Sequence, residues 1–244
     1  MTRIMTYNVH RCLGIDRRLD VGRIAAVIAA QEPDIVCLQE IDVGRARTRG
    51  VDQAGEIAER LGMISRFHPA LKVEEELYGD AILTDLPERL IKAGPLPGHP
   101  RIPKLEPRGA LWVAISVDGV EIEVLNTHLG LAPREQQLQA AALKGPQWLG
   151  HPSRRAPLIL VGDFNCGPRS APCRTLLHGL KDARALSRSA RSTATFPSAL
   201  PMRRIDHVFV SAEVKVTAVS APSDALTRRA SDHLPLVVDF EIAA

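Results

Sequence analysis

Apolar residues recur along this chain with two periods, and the switches between those periods predict most of its elements. Residues 3–8 alternate as a strand. Asp20 then caps a helix to about residue 31, with Val21, Ile24, Val27 and Ile28 on one face, and Glu32-Pro33-Asp34 ends it. The continuous apolar run 35–39 predicts a strand buried on both faces. A second helix spans 52–61, with Gly62 at its C-terminal cap. Strands follow at 66–73, 80–84, 89–94, 110–117 and 120–126, the last two joined by the tight-turn pair Asp118-Gly119. Pro133 opens a third helix with Leu138, Ala141, Ala142 and Leu143 turned inward, and Gly145-Pro146 breaks it. A buried strand at 158–162, a short helix at 170–177, a polar loop at 186–203 and strands at 205–210, 214–220 and 234–242 complete the pattern.

Strands outnumber helices, and hairpins alternate with helical crossovers. The fold class expected is α/β (α+β): a four-layer sandwich of two packed mixed β-sheets with helices on the outer faces. No linker, repeat or low-complexity tract divides the chain, and candidate site residues run from Asn8 to His233, so residues 1–244 are read as a single domain. Hydrophobic residues make up 45%, enough for a substantial core, yet no apolar run approaches membrane-span length. The first residues enter a strand without a signal-peptide pattern, which sets the expectation of a cytoplasmic protein. Cys12, Cys37, Cys166 and Cys173 lack zinc-finger spacing and are expected to be free thiols.

A net charge of +3 argues against a general nucleic-acid coat protein. Arginine nevertheless gathers at 45/47/49, 184/188/191, 203/204 and 228/229. Two readings stay open: solvated loops, or a cationic rim in which Arg45, Arg47, Arg49, Arg203 and Arg204 grip an anionic substrate.

Six short polar segments sit at the ends of apolar runs: Thr6-Tyr7-Asn8, Leu38-Gln39-Glu40, Asn126-Thr127-His128, Gly162-Asp163-Phe164-Asn165, Arg204-Ile205-Asp206-His207 and Ser231-Asp232-His233. Each places a carboxylate, carboxamide or imidazole where a scaffold presents chemistry. Hydrolysing a phosphate ester requires an activated water, neutralised phosphate oxygens and a stabilised leaving group. Hard oxygen donors with imidazole assistance suit Mg2+ or Mn2+, as one ion or two. Zinc is not indicated, since no His pair has i,i+4 spacing and no thiolate joins in. Turn chemistry alone accounts for single segments such as Gly162-Asp163-Phe164-Asn165, but not for six in concert. His207 alternates away from Asp206 and reads as a packed structural residue.

In this order the segments resemble the endonuclease/exonuclease/phosphatase superfamily over nearly the whole chain. The resemblance implies a two-sheet sandwich with a divalent metal at one rim. It assigns Glu40 as main metal ligand, with Asn8 and Asp232 close to the metal. It makes Asp163 the group that orients and deprotonates water, and Asn165 the holder of a phosphate oxygen. His233 contacts the phosphate as a cation sustained by Asp206, and His128 is the second imidazole. Asp80 stands where the family usually carries Asn, and two readings stay open: a carboxylate that pairs with His128 and raises its pKa, or a surface residue at the start of a strand; Asn126 and His10 are supporting candidates. The activity implied is hydrolysis of a phosphate ester, most simply a diester, with a lipid head group or small phosphodiester favoured over DNA or RNA. The stretch 45–53 resembles a bacterial branch of that superfamily suspected of phospholipid-related roles. A catalytically silent phosphate-binding module is the non-enzyme alternative.

Overall fold

The computed structural model describes residues 1–152, 154–155, 157–187 and 193–243. Its strands are β1 (Thr2–Asn8), β2 (Ile35–Val43), β3 (Ile64–Val73), β4 (Glu76–Thr84), β5 (Glu88–Pro95), β6 (Gly109–Val117), β7 (Val120–His128), β8 (Leu158–Asp163), β9 (Lys181–Asp182), β10 (Asp206–Val210), β11 (Val214–Ser220) and β12 (Leu236–Ile242). They form two six-stranded sheets, ordered β11-β12-β1-β2-β4-β3 and β5-β6-β7-β8-β10-β9. Both are mixed: β1 runs parallel to β2 and β7 parallel to β8, while the other pairings are antiparallel.

Alternation explains the layering. The inward residues of both sheets, among them Ile4, Ile35 and Val238 from the first and Val113, Val124 and Val161 from the second, share one apolar cluster between the sheets. The outer face of the first sheet is covered by α1 (Val21–Ala29) and α2 (Gln53–Leu61). The outer face of the second packs against α3 (Pro133–Lys144) and α4 (Ala171–Leu176). Two short helices, α5 (Ala183–Leu186) and α6 (Ala225–Ala230), complete the set among the described residues. The four-layer sandwich expected from the pattern is therefore observed, with the Asp118-Gly119 hairpin at φ 49° and 82° and Gly62 in the left-handed cap of α2.

The inward face of α3 differs from the expectation. Leu143 is buried as expected and Ala142 half-buried, but Leu138 is 38% exposed and Ala141 is exposed, while Gln136 and Gln139 are buried. Apolar periodicity is faint here because the buried face works partly by hydrogen bonding. Gln139 Oε1 accepts from Gly130 N at 2.8 Å, and Gln136 Nε2 donates to Gly130 O at 2.9 Å and Asn165 O at 3.2 Å. Buried amides of this kind replace backbone partners that water would otherwise supply, and they pin the loops after β7 and β8. Below them, Gly162 (φ 145°) lets two strands approach closely, since a Cβ there would lie 1.8 Å from Thr127 O.

Candidate active site

The parallel strands of each sheet end at the same edge of the sandwich. There a cleft of about 300 Å³ is lined by Glu40, Asp163, Asn165, His128, Asp232 and His233, together with Arg11, Arg47, Tyr78, Glu106, Arg108, Leu131 and Phe196.

Glu40 owes its position to a bulge. Leu38 pairs with Ala81 and Ile41 with Gly79, so Gln39 and Glu40 together oppose Asp80. Glu40 takes φ 59°, a conformation unusual outside glycine, and stays half-exposed. Gln39 points the other way, into the interface, and its Nε2 donates to Asn126 Oδ1 at 2.7 Å. Asn126 in turn donates to Leu38 O at 2.9 Å and Ala81 O at 3.0 Å, riveting the two sheets beneath the cleft.

Asn8 joins two acids. Its Nδ2 donates to Glu40 Oε1 and to Asp163 Oδ2, each at 3.0 Å, and its Oδ1 accepts from His10 N at 3.0 Å. Asp163 ends β8, is 1% exposed, and accepts from Asn165 N at 2.8 Å. Its Oδ2 also lies 3.5 Å from His128 Nε2 and 3.6 Å from His233 Nε2. Burial, then the neighbouring Asp206, pushes the Asp163 carboxyl above the usual range. Asp206 Oδ2 receives Nδ1–H of His233 at 2.9 Å and the Thr195 hydroxyl. Burial lowers the pKa of His233, but Asp206 and Asp163 outweigh it and raise it, leaving an imidazolium at the centre of the cleft. Phe196 covers that ring, with centroids 5.0 Å apart. Ser231 Oγ donates to Asn8 O at 2.8 Å, tying the Asp232-His233 loop to β1.

Asp163, Asp206 and His233 lie close enough together to suggest a metal cluster. The chemistry of that set argues otherwise: His233 already donates to Asp206, and a protonated imidazole offers no lone pair. Glu40 and Asp232 are half-exposed carboxylates of the cleft lining, hard oxygen donors that fit Mg2+ or Mn2+ with retained waters, whereas Asn8 turns its Nδ2 toward Glu40 and its Oδ1 toward His10 N and so braces Glu40 instead of offering an oxygen beside it. His10 stands beside them, its Nδ1 3.8 Å from Asp232 Oδ1 and 3.2 Å from Leu13 O.

Two expectations are corrected. Asp80 does not partner His128. Nδ1 of His128 faces the Arg108 guanidinium at 3.3 Å, and burial, Arg108 and His233 hold this imidazole well below its ordinary pKa. Asp80 is itself buried and pushed up to about 8 by burial, against the pull of Arg108. Nor do the five candidate arginines form one rim. Arg45 meets Glu76 at 3.3 Å, and Arg204 is forked onto Asp182, both as ion pairs away from the cleft lining. Arg49 and Arg203 are exposed outside the lining, with Arg203 over the Phe196 ring at 5.8 Å. Arg47 does line the cleft, but it is held by Asp42 in two 2.7 Å contacts. Arg188 and Arg191 fall outside the described residues. His207 is packed as expected, with Nε2 2.9 Å from Cys166 O and its ring stacked on Phe209. Cys166 and Cys173 are free thiols with sulfurs 3.7 Å apart.

Sequence reading missed Arg11, Arg108, Glu106 and Phe196. The one signal for Arg11 is its place two residues past the Asn8 segment's following valine, in a turn where His10, Arg11 and Cys12 have φ of 45°, 50° and 58°. Arg108 and Phe196 carry no local signal at all.

A family model described as the Endonuclease/Exonuclease/phosphatase family matches residues 5–233. The chain is 25% identical to an uncharacterized protein, YbhP, of Escherichia coli strain K12, over 98% of this chain and 96% of that protein. It is similar to the crystal structure of an endonuclease/exonuclease/phosphatase from Beutenbergia cavernae (26% identity, TM-score 0.80, covering 100% of this chain and 72% of that one). It also shares the fold of mannosyl-6-phosphatase Bt3783 of Bacteroides thetaiotaomicron (20% identity, TM-score 0.80, covering 99% and 100%).

Proposed function

Because the chain belongs to the endonuclease/exonuclease/phosphatase family, whose members are phosphoesterase hydrolases generally dependent on a divalent metal, we propose that its cleft hydrolyses a phosphodiester with Mg2+ or Mn2+. The observation that carries this reading is the convergence on Asp163 Oδ2 of Asn8, His128 and His233, 3.0 to 3.6 Å away, beside the cleft-facing Glu40.

Asp163 takes the proton from the attacking water. Asn8 and the Asn165 amide fix that carboxylate, so its orientation is set before substrate arrives. The His233 imidazolium, sustained by Asp206, and the Asn165 carboxamide bind phosphate oxygens. Glu40 and Asp232 would hold the cation, with Asn8 bracing Glu40 by donation, and the cation would supply charge neutralisation at the phosphate and leaving oxygen.

A lipid head group or other small phosphodiester fits this cleft better than duplex nucleic acid. The cavity is small, and Arg45 and Arg204 are committed to ion pairs instead of forming a cationic track. Exposed Leu131 and the Phe196 ring give its mouth an apolar lip. Nuclease action by the same residues is the second reading. Among the described residues no helix is long and apolar enough to cross a membrane.

The test is hydrolysis of a bis-aryl phosphodiester with added Mg2+ or Mn2+, run beside plasmid DNA, short RNA, glycerophosphodiesters and a sugar monophosphate. The monoester arm is set by the mannosyl-6-phosphatase relative. Asp163→Ala should lower turnover by about 10²- to 10⁴-fold. Rates equal to wild type on every substrate would leave only a phosphate-binding module.

A further inference from the structure

His128 has nitrogen groups against both of its ring nitrogens. Arg108 Nη1 lies 3.3 Å from Nδ1, and Asn165 Nδ2 lies 2.9 Å from Nε2. A guanidinium stays charged in a protein and offers donors only. The Asn165 amide nitrogen is a donor too, so both ring nitrogens face donors and a neutral ring can turn a lone pair to only one of them; the charged guanidinium makes the stronger claim, and Nδ1 turns its lone pair toward Arg108. A neutral imidazole carries one proton, and that proton is then on Nε2. There it faces Asp163 Oδ2 at 3.5 Å and the Asn165 amide, which is already anchored by donation to Leu129 O at 3.0 Å. Two N–H groups at this separation do not bond to each other. With the ring in this form they repel at 2.9 Å, a contact that one oxygen accepting from both would relieve.

Arg108 is built to hold this arrangement. It is 7% exposed, and the same Nη1 donates to Glu106 Oε1 at 2.6 Å. A proton added to His128 would set a second cation against Arg108, with His233 as a third on the far side of Asp163. The acids near this group offer it no free charge: Asp163 is engaged by Asn8, Asn165 and the imidazoles, and burial holds Asp80 toward its neutral form against the pull of Arg108.

We propose that Arg108 is a positioning residue that fixes His128 as the neutral Nε2–H tautomer, so that His128 and Asn165 present two donors to one oxygen of the scissile phosphate. The final clause rests on the phosphodiesterase reading. The tautomer assignment does not.

The experiment is nitrogen NMR of protein labelled at histidine, free of metal and phosphate, with the His128 signals identified by their loss in His128→Gln. Wild type should show a protonated Nε2 and a bare Nδ1, unchanged as the pH is lowered through about 6.5. Arg108→Met should give a mixture of tautomers, a ring that titrates nearer the ordinary range, and a turnover about tenfold lower. Arg108→Lys, which keeps a cationic donor, should restore most of the Nε2–H form, and Asp80→Asn should leave the ring as in wild type. A wild-type ring protonated on Nδ1, an unchanged ring in folded Arg108→Met, or a tautomer switch in Asp80→Asn overturns the assignment. If Arg108→Met does not fold, the wild-type and Asp80→Asn spectra decide alone. An Nε2–H ring in a protein that hydrolyses no ester would uphold the tautomer and sink the functional reading.

Discussion

In the first sheet the central parallel pair, β1 and β2, brings Asn8 and Glu40 to the cleft; in the second, β7 and β8 end on His128 and Asp163. The next strand outward supplies an aspartate in each: Asp80 on β4 opposite the Gln39-Glu40 bulge, and Asp206 on β10 paired with Asp163. The pairing scheme is the same in both sheets, antiparallel on either side of one parallel pair. The carboxylates nevertheless end in opposite environments. The bulge turns Glu40 outward and leaves it half-exposed, whereas unbroken pairing keeps Asp163 1% exposed. A hydrated acid suits a cation that keeps its waters. A buried acid is held nearer neutrality and suits proton transfer. One local insertion in a strand is enough to give the two acids of a repeated scaffold opposite environments.

The sharpest way to break this comparison is to exchange the aspartates' charges. Asp206→Asn removes the counter-charge of His233, and turnover should fall by about 10²- to 10³-fold. Asp80→Asn should stay within about threefold of wild type in turnover, because Asp80 touches no proton-transfer group. Similar losses from the two would contradict the division. Asp80→Asn has a separate signature in stability. The folded carboxyl is raised to about 8, so between about pH 4 and that value the folded state binds more protons than the unfolded chain, and wild-type stability falls as pH rises. The Asn variant should therefore gain melting temperature over wild type at pH 8 and little at pH 4. An equal offset at both would show that Asp80 is not buried as a proton carrier.

Smaller is the effect expected of Glu40→Gln: the metal concentration for half-maximal rate should rise at least about tenfold, with the saturated rate less affected. An unchanged metal dependence would remove Glu40 from the cation site. Asn126→Leu comes last. It strips the donors from Leu38 O and Ala81 O at the seam between the sheets, and should cost about 1–3 kcal/mol in denaturant unfolding.

The pattern of the chain revealed the strands because each buries a continuous or alternating apolar face, and it revealed the acids and imidazoles because they interrupt those runs at their ends. Three things stayed hidden for physical reasons. The bulge at Glu40 is set by pairing with a strand some forty residues away in sequence, around Asp80. The buried side of α3 mixes Ala140 and Leu143 with the polar Gln136 and Gln139, which serve backbone groups that exist only in the folded loops. Arg108 stands just before a strand among exposed residues, and only the fold brings it to His128. The arginine clusters misled in the other direction, because their ion-pair partners, such as Asp42 and Asp182, lie in separate elements.

The measurement that tests the division of labour most directly is the position of Mn2+ by anomalous scattering from crystals soaked in the ion. The expected result is density at Glu40 on the first sheet's side of the cleft, with none enclosed by Asp163, Asp206 and His233. A single peak inside that enclosed trio, with Glu40 left free, would contradict the account.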